Sequence, residues 1–326
     1  MSVVGEAETD PPTLGGASGP IAVRPDRRRA VAAAAVLLIA LGGAAIAIDR
    51  ERSAFVGSLR DLGPWAMVGS FCFGLIGVAA TLPVWRAVLG GLDVELPWRT
   101  SATVFFTSQL GKYVPGSVWP VLIQMEAGHA RGANRRTMLV ANVATIVISC
   151  TVGLVLACIL LPLHDGSALA HYWWALALLP LMLVLLHPRT MPALVDLACR
   201  VLRRPTLGGA LDSRSVLRAS GWSLVSWTAL GAHLTILCIA LGARDLATMA
   251  VCTGSMAMAY SLGVLFLPAP AGALIRDGVL VLALRVILPS GAALAAVVAS
   301  RVILIACDLT LAGAVAVARH RLGWVS

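Results

Sequence analysis

Apolar runs of roughly twenty residues, separated by short polar stretches rich in arginine, set the pattern of this chain. In helical form such a run covers the roughly 30 Å hydrocarbon core of a bilayer, so the runs predict membrane-spanning helices. They fall at 30–48, 64–82 with a possible extension to 89, 138–161, 172–187, 217–241, 246–267 and 293–317. Two regions break the pattern. At 101–125, two apolar arms, each too short to span, flank Gln109-Leu-Gly-Lys-Tyr-Val-Pro-Gly-Ser-Val-Trp119. A helix break at membrane depth is tolerated where protein or water covers it, so this stretch predicts a re-entrant hairpin. At 267–278, Leu267-Pro-Ala-Pro-Ala-Gly-Ala-Leu-Ile-Arg-Asp-Gly278 leads into a short apolar helix at 279–288 with Arg276 and Asp277 at its start. Amphipathic pieces at 49–63 and 191–202 predict helices lying along the membrane surface. The expected fold is all-α: a polytopic α-helical membrane protein with about eight transmembrane helices, the eighth being 272–288 if it crosses, and broken segments near 101–125 and 267–288.

The ends fit one membrane domain. Residues 1–23 are rich in Pro, Gly, Ala and acids without periodicity and read as a disordered tail. The run at 30–48 is longer than a signal-peptide core, and more membrane sequence follows it, so it reads as a retained span. The transmembrane domain covers 24–321, and 322–326 form a short tail. Composition agrees: 59% of residues are hydrophobic and 13% charged, against about 25% charged in soluble domains.

Charge changes the picture in one respect. The formal net charge of +9 would suggest nucleic acid in a soluble protein. Here the arginines cluster between apolar runs, as topology determinants and anionic-lipid contacts do, and no basic stripe with interleaved aromatics exists. Membrane lipids are the expected partners, and nucleic acid is not. With 24–29, 86–136, 189–218 and 319–321 on the cytoplasmic side, the loops 162–171 and 289–292, free of Lys and Arg, fall outside. Both termini are then cytoplasmic and the protein is a multi-pass protein of the cell membrane; Arg244 is a mild exception. Seven cysteines without a CxxC pair and six scattered histidines predict no disulfide framework, metal site or cofactor. No nucleotide-binding motif is present, so coupling to ATP would require a partner.

An ionisable group in a membrane segment costs roughly 2.5 to 3.5 kcal/mol to insert, so each needs a partner or a wet cavity. The candidates are Lys112, the only lysine, with Arg276, Asp277, Arg301 and Asp308. Arg301 and Asp308 stand seven positions apart, two turns on one helical face. Two readings stand together. The structural one pairs Arg276 with Asp308, or Arg301 with Asp277, tying broken helices to the bundle. The functional one is a cationic cleft for a phosphate headgroup, with Arg as a bidentate fork and Lys as a point charge, aided by free N–H groups of a helix starting near Ile275. Pro/Gly-interrupted segments in both halves point to a transporter's binding site, although no inverted repeat is evident. Tyr113 and Trp119 either line that pocket or anchor at the interface.

The stretch Gly111-Lys-Tyr-Val-Pro-Gly-Ser-Val-Trp119 resembles the GKYxPGxxW signature of the lysylphosphatidylglycerol synthase transmembrane-region family, whose members are flippase-like. Pro270-Ala-Gly-Ala-Leu-Ile-Arg-Asp277 resembles its PGGxGxRE block, and Val298-Ala-Ser-Arg301 its later xR position. Order, spacing and hydropathy agree from about residue 30 to 320. The chain departs at Asp277, where the family usually has Glu, at Asn142, near an expected Glu, and at Ala271 and Ala273. The resemblance implies headgroup contacts from Lys112, Tyr113, Arg276 and Arg301. It implies structural or coupling roles for Gln109, Pro115, Gly116, Trp119, Gly272, Asp277 and Asp308.

In relatives that make aminoacyl-phosphatidylglycerol, a separate soluble domain performs the aminoacyl transfer. No such stretch is seen here, so lysyl-transferase activity is not expected. The first expected function is a lipid translocase or lipid-binding protein handling an anionic phospholipid or a polyprenyl-phosphate-linked lipid, beside partner enzymes of envelope biosynthesis. The alternative is a membrane-embedded lipid-dependent glycosyltransferase, for which Glu126 or Asp277 would supply the base, or an accessory subunit of such a pathway.

Overall fold

The computed structural model describes residues 52–113, 119–164, 189–201, 211–265 and 272–321, with isolated positions between 180 and 187. The expected tail at 1–23, the first span at 30–48, the Pro115-Gly116 break, nearly all of 164–187, the break at 267–271 and the last five residues lie outside these. The described elements are all helical: α1 (Arg52–Asp61), α2 (Pro64–Ala79), α3 (Thr81–Gly90), α4 (Trp98–Gln109) running into a 3-10 turn (Leu110–Tyr113), α5 (Trp119–His129), α6 (Arg135–Leu160), α7 (Met191–Val201), α8 (Ser213–Ala240), α9 (Thr248–Leu265), α10 (Gly272–Leu284) and α11 (Ser290–Arg321). The protein is a polytopic all-α membrane protein. Pro64–Gly90, Arg135–Leu160, Ser213–Ala240 and Ser290–Arg321 are each long and apolar enough to cross a bilayer, and Thr248–Val264 is a shorter apolar helix.

Two expectations change in detail. The span at 64–90 is jointed: α2 ends at Ala79 and α3 begins at Thr81, whose hydroxyl donates to Val78 O at 2.6 Å. The short helix after the second break starts at Gly272, earlier than read from sequence, so Arg276 and Asp277 lie one turn inside it. At about 1.5 Å per residue its thirteen residues rise about 20 Å, short of the roughly 30 Å core. By the same measure α4 rises about 18 Å and α5 about 16 Å. They form a helix–break–helix hairpin, closed where Gln124 Nε2 donates to the buried Ser108 hydroxyl at 2.7 Å.

Local chemistry sets the ends. Pro64 sits at the start of α2, where its missing N–H costs nothing. The Asn134 side chain caps α6 by accepting from Arg136 N at 2.9 Å. Helices α5 and α8 end in the same way, with Gly132 (φ +85°) and Gly242 (φ +100°) in the left-handed region. Ala133 N then donates to Gly128 O, and Ala243 N to Cys238 O, giving both ends the Schellman pairing that only glycine reaches without strain.

Helix α8 packs against α2, α6 and α9, while α11 packs against α1, α2 and α4. Lipid supplies no hydrophobic drive between helices, so close approach by small residues holds the bundle. A Cβ on Gly77 would stand 2.7 Å from Leu230 Cγ, and one on Gly231 would stand 2.7 Å from Thr253 Cα. Buried polar knots add direction. His233 of α8 joins Ser70 of α2 and Ser300 of α11 at 2.7 and 2.8 Å. One assignment satisfies every partner: Nδ1–H is shared between the Ser70 hydroxyl oxygen and Ser70 O, the Ser70 hydroxyl donates to His233 O, and Nε2 accepts from the Ser300 hydroxyl. Trp85, fully buried on α3, donates to Asn142 Oδ1 of α6 at 3.1 Å. Overpacking a tight helix contact costs about 1–3 kcal/mol, so Gly231→Ala is expected to lower the thermal midpoint of the detergent-solubilised protein. Gly221→Ala on the same helix, with open space around it, is expected to leave the midpoint unchanged or raise it.

Candidate functional site

The turn Leu110–Tyr113 exists because the hairpin's two arms cross closely. Gly111 is buried, and a Cβ there would stand 3.0 Å from Trp119 Cβ and 3.2 Å from Pro120 N. The absence of a side chain at 111 lets Trp119 seat over the turn, and the next two residues, Lys112 and Tyr113, project toward α11. Lys112 Nζ lies 2.6 Å from Asp308 Oδ2, and Tyr113 Oη donates to the same oxygen at 2.5 Å. The Lys112 ammonium also stands 5.4 Å from the Tyr113 ring centre. The Asp308 side chain is 2% exposed and that of Lys112 40%. The other carboxylate oxygen of Asp308, Oδ1, is buried without a hydrogen-bond partner.

The second half of the cluster comes from α10. Asp277 accepts from Arg276 Nε at 3.1 Å and, through its other oxygen, from Arg301 of α11. Of the pairings anticipated from sequence, Arg301 with Asp277 forms; Asp308 is taken by Lys112 and Tyr113 instead of Arg276. The Arg276 guanidinium lies 4.3 Å from the ring centre of Tyr260 on α9, and Tyr260 stacks edge-on with Trp227 of α8. Tyr113 lies within electrostatic reach of both Arg276 and Tyr260, which closes the cluster from the hairpin to α10. Arg301 and Asp308 are about 10 Å apart along α11, seven residues at the helical rise. The cluster therefore runs Lys112–Asp308–Tyr113–Arg276–Asp277–Arg301, with three cations against two carboxylates. It has a wet or lipid-facing side, because Lys112 and Arg301 keep 40% and 39% of their side-chain surface.

The remaining anticipated residues fall around this line. Gln109 ends α4 beside the turn and Trp119 begins α5 behind it. Gly272 begins α10. Pro115 and Gly116 lie outside the described residues. A sequence profile of the lysylphosphatidylglycerol synthase TM region matches residues 30–312, which include every member of the cluster.

This protein belongs to that family.

No curated protein matches the chain. Within the family frame, two of the four positions where the sequence departs from the resembled motifs, 277 and 142, have distinct surroundings. Asp277 lies between two guanidinium groups. Asn142 lies away from them, accepting from Trp85 and donating to Met138 O at 3.0 Å. Among the described residues no group of three or more His, Cys, Asp or Glu is placed to hold a metal ion. Sequence reading missed Tyr260, one of only three tyrosines. Its signal was a phenol inside an otherwise apolar run, a side chain that seeks a polar partner when buried. It also missed Ser108 and Gln124, which lock the hairpin's arms.

Outside the cluster, Glu126 at the end of the hairpin forms a bidentate pair with Arg135 at 2.8 and 2.9 Å. That hydrogen-bonded pairing holds the Glu126 carboxyl below its usual range. A carboxyl held low contributes stability while ionised and loses it as pH falls through the lowered value, so this clasp opens only in acid.

Removing one partner of a fully buried ion pair costs about 3–5 kcal/mol. The 20–39% side-chain exposure of Arg276, Asp277 and Arg301 screens that cost. Asp277→Asn, which leaves two guanidiniums facing each other, is expected to destabilise by less than that range, read as a fall in thermal midpoint. Asp277→Glu is expected to restore most of it, since the carboxylate is kept.

Proposed function

We propose that this protein binds and translocates a membrane lipid with an anionic, phosphate-bearing headgroup, and that the charged cluster is its headgroup site. The observation that carries the reading is the charge inventory: Lys112, Arg276 and Arg301 against Asp277 and Asp308, which leaves one positive charge uncompensated inside an apolar bundle. A lone excess cation among helices is costly unless an anion joins it. Arginine supplies a planar fork for phosphate oxygens and lysine a mobile point charge. The exposed flanks of Lys112 and Arg301 let a headgroup enter while its tails stay in the bilayer.

Membership of the family supports lipid handling in general terms. The finer statement, that an anionic phospholipid or a polyprenyl-phosphate-linked lipid is moved across the membrane, is our own. The glycosyltransferase alternative has less support, because both residues offered as its base are already engaged by arginine: Glu126 by Arg135, and Asp277 by Arg276 and Arg301. A base must reach a substrate proton with a free lone pair. We place the protein in the cell membrane with both termini cytoplasmic, from the arginine distribution, and its partners among membrane lipids and enzymes of envelope biosynthesis.

The test is reconstitution into liposomes carrying fluorescent phosphatidylglycerol or a polyprenyl-phosphate lipid, with transfer between leaflets measured by quenching. Lys112→Ala and Arg276→Ala are each expected to slow transfer tenfold or more, and Arg244→Ala in an exposed loop to leave it unchanged. Transfer indifferent to the first two variants, or sugar transfer from a lipid-linked donor, sinks the reading.

A further inference from the structure

The Asp308 carboxylate has two unlike oxygens. Oδ2 accepts from both Lys112 and Tyr113, while Oδ1 is buried and accepts from nothing. Its helix ends in Arg319-His320-Arg321, so Asp308 lies about 16 Å, eleven residues at the helical rise, inside that basic end. That is about half the thickness of the roughly 30 Å hydrocarbon core. At that depth, with its side chain 2% exposed, Asp308 has the Lys112 ammonium 2.6 Å away as its compensating charge. A buried carboxylate that loses its cation is an uncompensated charge, and such groups neutralise rather than stay ionised.

We propose that headgroup binding is an ion-pair exchange coupled to proton uptake: the ligand's phosphodiester takes Lys112 from Asp308, and Asp308 takes a proton. This rests on the headgroup reading above and adds its coupling ion. The balance is simple. The Lys112 ammonium keeps all three protons and moves its hydrogen bond from Asp308 Oδ2 to a phosphate oxygen. One proton from bulk water goes to the Asp308 carboxylate, giving the neutral acid. The Tyr113 hydroxyl remains beside it, and no covalent bond or electron is transferred elsewhere. Net charge in the cluster is unchanged: one anion arrives with one proton.

The groups facing Asp308 leave it as the acceptor of that proton. Lys112 and Tyr113 from the turn both donate to it, Cys307 adjoins it on α11, and Cys72 of α2 lies within electrostatic reach of Cys307. Arg276 and Tyr260, from α10 and α9, reach it through Tyr113. Asp277 on α10 is held by two arginines, and Arg301 stands two turns back on α11. From α8, His233 meets Ser300, eight residues earlier on α11. Helix α1 docks at the far end, where Ala54 meets Gly291, and Arg99 of α4 lies three turns before the hairpin turn.

The experiment is calorimetric titration of the detergent-solubilised full chain with short-chain phosphatidylglycerol, in buffers of different ionisation enthalpy, from about pH 5 to about pH 8. The probe is a phosphodiester and stays a monoanion throughout, so protons taken up belong to the protein. Dimethyl phosphate, the same anion without tails, is run in parallel; uptake with either probe supports the exchange, and the tighter binder tells lipid headgroup from free phosphodiester. About one proton per bound probe is expected, with affinity rising up to tenfold per unit fall in pH over the window where uptake occurs. Asp308→Asn is expected to abolish the uptake and flatten the pH dependence, and Asp308→Glu to retain both. Wild-type binding that weakens in Lys112→Ala but takes up no proton overturns the coupling and leaves the headgroup site standing. Binding of neither probe, or binding indifferent to Lys112→Ala, overturns both. If Asp308→Asn does not fold, the wild-type proton count and Asp308→Glu decide.

Discussion

The ion pair between Lys112 and Asp308 fixes how this bundle is assembled around its break. A carboxylate at 2% exposure inside an apolar bundle cannot exist there without a cation, and the chain has a single lysine to offer. Satisfying Asp308 therefore pulls the hairpin turn onto α11. Once the turn is there, Tyr113 reaches the same oxygen and lies within electrostatic reach of Arg276, so the hairpin and α10 both approach α11 along the stretch from 301 to 308. Elsewhere the burial of ions in membranes is avoided. Here two carboxylates and three cations are gathered between the hairpin turn, α10 and α11.

The rest of the bundle keeps that meeting point rigid by other means. Helices α2, α8 and α9 are drawn together by glycines whose missing side chains allow backbone approach. The His233 knot then ties α2, α8 and α11 with three neutral hydrogen-bonded residues, adding direction without adding charge. The Ser300 end of that knot is next in sequence to Arg301, so the rotation of α11 that aims Arg301 at Asp277 is set by a neutral network one residue away. Division of labour follows: uncharged polar contacts orient the helices, and the charged contacts are gathered between the hairpin turn, α10 and α11.

Much of this was readable from the chain. The apolar runs at 64–89, 138–161, 217–241 and 293–317 gave spans because bilayer thickness fixes helix length, and the Lys112 and Arg276 neighbourhoods stood out because ions and Pro/Gly breaks are improbable in apolar sequence. Which acid meets which base was not readable. Helical spacing puts Arg301 and Asp308 on one face, but their partners come from segments 24 and 195 residues away, and only packing decides between them. The partner of Tyr260 was unreadable for a similar reason: its phenol stands out in an apolar run, but a run with hydrophobic residues on all faces carries no periodicity to tell which side turns toward Arg276.

The family departures bear on how the site is charged. An acid at position 142 would sit within hydrogen-bond range of the Trp85 indole, beside a residue with no exposure at all, and would add a third carboxylate to the interior. Asparagine accepts the same indole proton through its amide oxygen and brings no charge. At 277 the change from the resembled Glu to Asp shortens the side chain by one methylene, and the shorter arm still reaches both Arg276 and Arg301 because Arg276 is its immediate neighbour and Arg301 extends from across the helix contact. The cluster itself holds two acids, at 277 and 308, of which one is clamped between arginines and the other is held by a single lysine. Set against Lys112, Arg276 and Arg301, those two acids leave one formal positive charge in excess, whichever acid of the two stands at 277.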